Sequence, residues 1–338
     1  MKLYLLGLLL MVSGCQVAPV KPIDPVIKSL AATKPLVIAH RGAPGYLPEH
    51  TLESATLAFA QGADFIEQDL VVTKDSKIVV LHDIHLETVT NVEQMFPSRK
   101  RGDGRYYALD FTLAELKTLR VHERQDGKAK QVFPNRYQGN GHFTIATFEE
   151  HIELIQQLNR QFNKTIGFYP EIKSPAWHRQ QGVDISKLVV AELRKHNLDD
   201  PNKAIYVQCF DFEETQRLRN ELKLKAKLVQ LLAENDWQES PSDYDLLKTP
   251  AGLKAIAKVA QGVGPWIPQL VDLKTLQPTG LVKQAHLAGL QVHPYTFRQD
   301  ALPKGLNTQQ TLQLLFTKIK VNGLFTDFTD TVVEHLAE

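Results

Sequence analysis

The chain has 338 residues, of which 43% are hydrophobic and 23% are charged, a length that suits either one large α/β barrel or two domains of ordinary size. Its formal net charge is only +1, and no run of Lys and Arg is dense enough to follow a phosphate backbone. We therefore exclude nucleic acid as a partner.

The first residues predict a processed, lipid-anchored N-terminus. Lys2 provides a positive charge, residues 3–12 are almost entirely apolar but too short to span a bilayer, and two small residues precede Cys15. This pattern resembles a bacterial lipoprotein signal, so we expect residues 1–14 to be a signal peptide and Cys15 to carry the lipid. A plain secretory signal with an incidental cysteine is the alternative.

Gln16 follows Cys15 where some lipoproteins have Asp, and the same resemblance then implies an exported protein in the outer membrane, facing the periplasm or the cell surface. The lipid on Cys15 would be its only membrane contact. Residues 15–35 contain four prolines and predict a tether. Cys209 is the only other cysteine, so it has no disulfide partner and is predicted to be a small buried hydrophobe.

From Leu36 onward, short apolar runs alternate with helical patterns, as expected of parallel β/α units. Nine strands are predicted, at residues 36–39, 64–73, 78–82, 166–173, 204–210, 227–232, 262–266, 291–297 and 323–328. Helices are predicted at residues 51–61, 147–158, 185–196, 212–222, 252–260, 279–288 and 308–321.

The second and third predicted strands are separated by only a few polar residues, which favours a hairpin rather than a helical crossover. Removing the hairpin partner leaves eight strands. The pattern therefore predicts a modified TIM (β/α)₈ barrel over residues 36–335, with an insertion over residues 84–143 after the third strand. We expect the insertion to cover the site, and Tyr106 and Tyr107 are candidates for shaping a substrate pocket. A purely stabilising role of the insertion is the alternative.

Several carboxylates lie at the C-terminal ends of predicted strands. In a TIM barrel, the active site is at this end of the strands. Glu67 and Asp69 are two residues apart and so share a face of one strand, and Glu171 lies near the end of the next barrel strand. An all-oxygen set of this kind favours a hard divalent cation, Ca²⁺ or Mg²⁺. The alternative is that these carboxylates pair with Arg41 and Lys173.

Two histidines, His40 and His82, each follow an apolar strand. An imidazole with its ordinary pKa of about 6.5 can act as general base or general acid near neutral pH. Arg41 is a candidate for binding a phosphoryl oxygen, with a structural ion pair to Glu49 as the alternative. A metal, two histidines and an arginine together favour hydrolysis of a phosphodiester.

Five short motifs, in this order and spacing, resemble those of the glycerophosphodiester phosphodiesterases. They are His40-Arg41-Gly42, Pro48-Glu49-His50-Thr51, Glu67-Gln68-Asp69, His82-Asp83 and Pro170-Glu171-Ile172-Lys173. Residues 208–210, 292–296 and 322–327 extend the likeness, which covers residues 36 to about 330 and is closest to the periplasmic branch of the family.

The resemblance implies a role for each motif residue. His40 and His82 would be the acid/base pair. One divalent cation, usually Ca²⁺ in this branch with Mg²⁺ as the alternative, would be bound by Glu67, Asp69 and Glu171. Contacts to the phosphate would come from Arg41 and Lys173, and Glu49 would be a further metal-side or glycerol-binding carboxylate.

Three aromatic residues at later strand ends are additional candidates for substrate contact, namely Trp266, Tyr295 and Phe325. For Trp266 and Phe325 a plain core role is the alternative. Trp266 and Ile267 stand where periplasmic relatives tend to have an Asp-Tyr pair. This departure leaves the catalytic set intact but makes the preferred leaving group an open question.

The reaction implied is hydrolysis of glycerophosphocholine, glycerophosphoethanolamine and glycerophosphoglycerol to glycerol 3-phosphate and an alcohol, in the salvage of glycerol and phosphate from phospholipid breakdown products. Attack by water and attack by the substrate's 2-hydroxyl are both open, as is the oligomeric state. Two other functions are less consistent with the sequence. A phospholipase would need exposed apolar surface around the barrel mouth, and a non-enzymatic surface lipoprotein would have no chemical need for three convergent carboxylates.

Overall fold

The computed structural model describes residues 34–338. The signal peptide, Cys15 and nearly all of the tether lie outside the described residues, so the predictions made for them stay predictions. Within residues 34–338, no helix is both long and apolar enough to cross a membrane.

The strands agree closely with the predicted ones. Their bounds are β1 Leu36–Ala39, β2 Phe65–Val72, β3 Ile78–Val80, β4 Gly167–Ile172, β5 Tyr206–Cys209, β6 Lys227–Leu232, β7 Gly262–Pro265, β8 Val271–Asp272, β9 Gln277–Pro278, β10 Gln291–Val292 and β11 Gly323–Thr326. The small β8–β9 hairpin lies outside the main sheet and was not predicted. The predicted strand at residues 291–297 is shortened to β10, because Pro294 has no amide to contribute to a ladder.

Eight parallel strands form a nearly closed barrel. Neighbouring strands follow the order β10, β7, β6, β5, β4, β2, β1, β11. Beyond β10 the ring is completed by backbone hydrogen bonds, in which the Asn322 amide donates to the Val292 carbonyl at 2.9 Å and the Phe325 amide donates to the Pro294 carbonyl at 3.0 Å. The structure thus confirms the predicted TIM barrel.

Helices cover the outside of the barrel. The longer ones are Leu52–Ala60, Phe148–Phe162, Pro175–Gln180, Ile185–Lys195, Phe212–Asn220, Pro250–Ile256, Leu281–Leu287, Thr308–Gln313 and Thr329–Ala337, and Leu314–Ile319 continues as a π-helix. Single-turn helices are Val92–Met95, Leu113–Leu116 and Tyr244–Leu247. Thr112 and Thr147 begin their helices with complete capping boxes, as their spacing to Glu115 and Glu150 predicts.

The predicted hairpin is present: β3 pairs with β2 in antiparallel fashion, with Leu70 opposite Val80 and Val72 opposite Ile78. The chain from Leu81 to Ala146 then contains only isolated bridges and short helices. This segment has its own apolar cluster, which includes Leu86, Phe111 and Leu119. That residues 84–143 are an insertion into the barrel fold stays a prediction.

Because strand residues alternate between two faces, polar groups follow an aromatic cluster along the inward face of the barrel strands. Phe65, Tyr169 and Tyr206 point into the barrel and pack with Phe325 in an interior cluster. Two residues further along β2, β4 and β5, on the same face, stand Glu67, Glu171 and Gln208, all of which line a cavity at the C-terminal end of the barrel. The barrel interior is therefore packed with aromatic side chains, whereas its C-terminal end carries charged and polar groups.

Candidate active site

A cavity of about 310 Å³ opens at the C-terminal ends of the barrel strands. It brings together both predicted histidines, all three predicted metal ligands and most of the predicted substrate contacts. Its lining consists of His40, Arg41, Glu67, Asp69, His82, Glu171, Lys173, Gln208, Phe210, Leu231, Trp237, Glu239, Trp266, Tyr295, Thr296, Arg298 and Phe325.

An acidic group lies at the base of this cavity. Ligand atoms of His50, Glu67 and Asp69 all lie within 4.8 Å of one another, and Glu171 is the direct neighbour of Asp69 across β2 and β4. One oxygen of Asp69, Oδ1, is buried without a hydrogen-bond partner among the described residues. His50, which the sequence predicted only as part of a motif, joins the set by donating from Nε2 to Oδ2 of Asp69 at 2.7 Å.

The carboxylates of this group repel one another. Burial, together with the charge of Asp69, holds the pKa of Glu67 well above its usual range. Burial also raises the pKa of Glu171 to about 8, against the effect of Lys173. The pKa of Asp69 falls instead, because Lys173, His82 and His50 outweigh its burial. A divalent cation would relieve this repulsion and use the unpartnered oxygen, so the residues fit a Ca²⁺ or Mg²⁺ ion.

The predicted alternative, pairing with basic residues, is also present in part. Nζ of Lys173 lies 2.7 Å from Oε1 of Glu171, and Nε of Arg41 lies 3.5 Å from Oδ2 of Asp69. Among the described residues, Glu67 accepts hydrogen bonds only from the backbone amide of Arg41, at 2.6 Å, and from Gln208, at a long 3.5 Å. The two basic side chains, Arg41 and Lys173, are thus outnumbered by the three carboxylates Glu67, Asp69 and Glu171.

His40 lies at the end of β1 and is held at both ring nitrogens. Nε of Arg41 donates to Nε2 at 3.2 Å, so that nitrogen is an acceptor and the proton resides on Nδ1. Nδ1 then donates to Oδ1 of Asp327 at 2.6 Å. Burial and the charge of Arg41 lower the pKa of His40 to about 4, which leaves the imidazole neutral at pH 7.

His82 follows β3 and has a similar arrangement. Its Nδ1 lies 2.6 Å from Oδ1 of Asp83, and the other oxygen of Asp83 accepts from Arg124 at 2.6 Å and from Thr88 at 2.8 Å. Despite burial, His82 and Arg124 hold the pKa of Asp83 below its usual range, so Asp83 is an ionised acceptor. Burial, Arg41 and Lys173 lower the pKa of His82, so the ring is neutral. Because Nδ1 donates to the ionised Asp83, Nε2 is the unprotonated nitrogen.

Glu49 lies behind the cavity rather than in its lining. Nη1 of Arg41 contacts Oε1 of Glu49 at 3.1 Å, and Nε and Nη2 of Arg124 contact the same carboxylate at 2.9 and 2.6 Å. The ion pair with Arg41 that the sequence offered as an alternative is therefore the observed contact. Glu49 positions Arg41 and does not itself face the cavity.

The three predicted aromatic contacts all line the cavity. Trp266 is 36% exposed at its mouth, whereas Phe325 is buried and its ring centroid lies 6.4 Å from that of His40. The hydroxyl of Tyr295 donates to the backbone carbonyl of Leu232 at 2.8 Å, so this residue presents its ring rather than its hydroxyl.

The predicted aromatic pair of the 84–143 segment is not in the lining. Tyr106 is buried, and its hydroxyl donates to the carbonyl of Pro97 at 3.2 Å. Tyr107 instead stacks on Trp177, with a centroid separation of 5.4 Å.

Sequence reasoning missed several residues that complete the site. Asp327 falls at the end of the motif at residues 322–327 but was given no role, although pairing of the first and last strands places it beside His40. Arg124 and Arg136 come from the segment between β3 and β4, where no periodicity or motif points to them. Arg136 and Arg298 both donate to Oδ2 of Asp327, at 2.7 and 2.8 Å.

Comparison with known proteins is consistent with this geometry. The model of the glycerophosphoryl diester phosphodiesterase family matches residues 40–331. A glycerophosphodiester phosphodiesterase of Haemophilus influenzae is 42% identical over 99% of this chain and 99% of its own length. One from Treponema pallidum is 35% identical over 91% of this chain and 93% of its own length.

Solved structures agree in fold. A protein from Silicibacter pomeroyi matches with a TM-score of 0.68 at 23% identity, over 92% of this chain and 97% of that chain. An Oleispira antarctica phosphodiesterase, solved in complex with the product sn-glycerol-3-phosphate, matches with a TM-score of 0.60 at 19% identity, over 91% and 99% of the two chains. With the family model and the two close relatives, the chain belongs to the glycerophosphoryl diester phosphodiesterase family and is an enzyme of phosphodiester hydrolysis.

Proposed function

We propose that this enzyme hydrolyses small glycerophosphodiesters, such as glycerophosphocholine, glycerophosphoethanolamine and glycerophosphoglycerol, to glycerol 3-phosphate and the free alcohol. The observation that carries the proposal is a pair of neutral histidines, His40 and His82, each hydrogen-bonded through Nδ1 to an ionised aspartate and each lining one cavity with a carboxylate group. A phosphodiester needs one group to remove a proton from the nucleophile and another to protonate the departing alkoxide.

The carboxylate group supports a requirement for one divalent cation, for which we propose Ca²⁺ first and Mg²⁺ second. Glu67, Asp69 and Glu171 would hold it, with His50 fixing the orientation of Asp69 through the 2.7 Å hydrogen bond. When bound, such a cation supplies positive charge to the phosphoryl oxygens and to the negative charge that develops in the transition state.

The two histidine–aspartate pairs suit proton transfer at Nε2. In each pair the aspartate fixes the tautomer and stabilises the imidazolium that forms when Nε2 accepts a proton. Both imidazoles are neutral before substrate binds, partly because of the nearby charge of Arg41. A bound phosphodiester anion offsets that charge and favours protonation of one of the two, which then serves as the general acid.

Arg41 and Lys173 supply the remaining positive charge of the cavity wall. Arg41 is held from behind by Glu49 and through its backbone amide by Glu67, so its guanidinium is positioned before substrate arrives. We propose that both side chains contact the phosphoryl oxygens.

The signal peptide and lipidated Cys15 that the sequence predicts would place this reaction outside the cytoplasm. There it would salvage glycerol and phosphate from phospholipid breakdown products.

The test is release of glycerol 3-phosphate from glycerophosphocholine by the full chain, measured with Ca²⁺ and with EDTA. We expect turnover that requires the metal and that is reduced at least about a hundredfold in His40→Ala, His82→Ala and Glu67→Gln. His142→Ala, which removes an exposed histidine, is the control and should behave as the wild type. Absence of turnover on all three glycerophosphodiesters by folded, metal-supplied protein would overturn the proposal.

A further inference from the structure

Two tryptophans stand exposed at the mouth of the cavity. Trp237 and Trp266 are 43% and 36% exposed, and their rings meet edge to face with centroids 5.0 Å apart. Both line the same cavity as the histidines and the carboxylate group. Paired exposed aromatic rings beside polar groups at a cavity are a feature of ligand-binding sites.

Their positions are fixed by the backbone around them. Trp237 lies in a 3₁₀ turn after β6 and Trp266 directly follows β7, so the two loops project from neighbouring strands. Gln269 joins the loops: its Nε2 donates to the carbonyl of Ala233 at 2.9 Å and to Glu234 at 2.8 Å, while its Oε1 accepts the amide of Trp266 at 3.0 Å. The pair is therefore arranged before any ligand binds.

A carboxylate, Glu239, lies in the same wall. Its nearest basic group is Nζ of Lys173 at 3.7 Å, and that ammonium is already paired with Glu171 at 2.7 Å. Within residues 34–338, the structure shows no hydrogen bond to the Glu239 side chain. A negative charge at this point repels a phosphodiester anion, so phosphate binding gives no reason for it.

We propose that Trp237, Trp266 and Glu239 form a subsite for a cationic group on the leaving alcohol, a quaternary or primary ammonium. The face of an indole ring attracts such cations, and a carboxylate beside it adds direct charge pairing. Lys173 lies between this subsite and the carboxylate group, which matches a substrate whose phosphate and ammonium are separated by a short carbon chain. This inference rests on the proposed function and specifies its substrate class.

The test compares kcat/KM of the metal-supplied enzyme for three substrates, two with a cationic alcohol, glycerophosphocholine and glycerophosphoethanolamine, and one with a neutral alcohol, glycerophosphoglycerol. Glu239→Gln and Trp237→Leu should lower kcat/KM for the cationic substrates at least about fivefold. For the neutral substrate the value should be unchanged or, in Glu239→Gln, raised. Asp236→Asn removes an exposed charge from the same turn and should change none of the three values.

Equal losses on all three substrates, or no loss on any, would overturn the subsite while leaving the proposed function intact. A wild type that turns over none of them would overturn both.

A second measurement does not depend on turnover. Choline should change the tryptophan fluorescence of the wild type in a saturable way beyond an equal concentration of NaCl, and Glu239→Gln should weaken this binding at least about fivefold. A response identical to that of NaCl would contradict the subsite.

Discussion

Nδ1 of His40 lies 2.6 Å from Oδ1 of Asp327, although the two residues are 287 positions apart in the chain. Parallel pairing of β1 with β11 brings them together, because His40 and Asp327 directly follow the paired residues Ala39 and Thr326. The other oxygen of Asp327 is held by Arg136 and Arg298, which keeps the pKa of this buried carboxyl below its usual range. Asp327 thus fixes the tautomer and direction of one proposed catalytic imidazole.

Replacing Asp327 with Asn should lower kcat by about a hundredfold or more with little change in KM. The amide no longer favours the proton on Nδ1 and does not stabilise an imidazolium, while substrate contacts are kept. Steady-state kinetics with glycerophosphocholine would measure the effect. Asp300→Asn is the matched control, since Asp300 also binds Arg136, at 2.9 Å, but the described structure shows no contact between it and His40. Equal loss in both variants would show that general disruption, not the tautomer, is responsible.

Arg124 should be important for stability as well as for the orientation of His82. It joins Glu49 and Asp83 through three hydrogen bonds between 2.6 and 2.9 Å, and its side chain is only 15% exposed. Removing one partner from a buried ion-pair network leaves unpaired charge, so Arg124→Gln should lower the free energy of unfolding by about 3 kcal/mol. Equilibrium unfolding in guanidinium chloride would measure this free energy.

The control for Arg124 is Arg105, whose partner is Glu87 and whose side chain is 42% exposed. Because solvent screens such a pair, Arg105→Gln should cost no more than about 1 kcal/mol. Similar costs for the two variants would contradict the importance assigned to the Arg124 network.

Glu123 should make stability fall with rising pH. It is buried, and its Oε2 has no hydrogen-bond partner among the described residues. Burial raises its pKa to about 8, although the positive charge of Arg136 acts in the opposite direction. In the unfolded chain a glutamate has a pKa of about 4.3, so between these two values the folded state binds the extra proton. Its stabilising contribution is complete below about pH 4.3 and is lost progressively as pH rises to about 8.

Thermal midpoints of wild type and Glu123→Gln, measured in EDTA between pH 5 and pH 8, would test this. The wild type should lose stability over the interval relative to the variant, whose amide does not titrate. Parallel curves for the two proteins would show that Glu123 does not titrate in the folded state at an elevated pKa.

Ca²⁺ should raise the thermal midpoint through the buried group and not through a second acidic group at the surface. Binding to the folded state alone stabilises it, so the wild type should show a rise that Asp69→Asn removes. The second group, Glu149, Glu192 and His196, has ligand atoms equally close together but is more exposed, and Lys195 contacts both of its carboxylates. Glu192→Gln should therefore retain the full Ca²⁺ response, and a loss in this variant would relocate the metal to the surface.

The barrel was predictable because strand and helix periods are local properties of the sequence. Runs such as Ile38–Ala39 before His40, and the two-residue spacing of Glu67 and Asp69, identify the strands, the face that points inward and the end that carries polar groups. The antiparallel β3 was also readable, since only residues 73–77 separate it from β2.

The partners of the site residues were less predictable, because they depend on long-range packing. Arg124 and Arg136 lie in a segment with neither barrel strands nor a helical repeat, and which carboxylate each arginine contacts is decided only when that segment packs over the barrel. The subsite residues Trp237 and Glu239 are in a loop, where side-chain direction follows from turn geometry rather than from a period.

The most direct test of the proposed reaction is identification of the products formed from glycerophosphocholine in the presence of Ca²⁺, by phosphorus NMR of the reaction mixture. We expect glycerol 3-phosphate and choline as the sole products, with no reaction in EDTA. Formation of phosphocholine and glycerol, or an unchanged substrate signal with folded and metal-supplied protein, would contradict it.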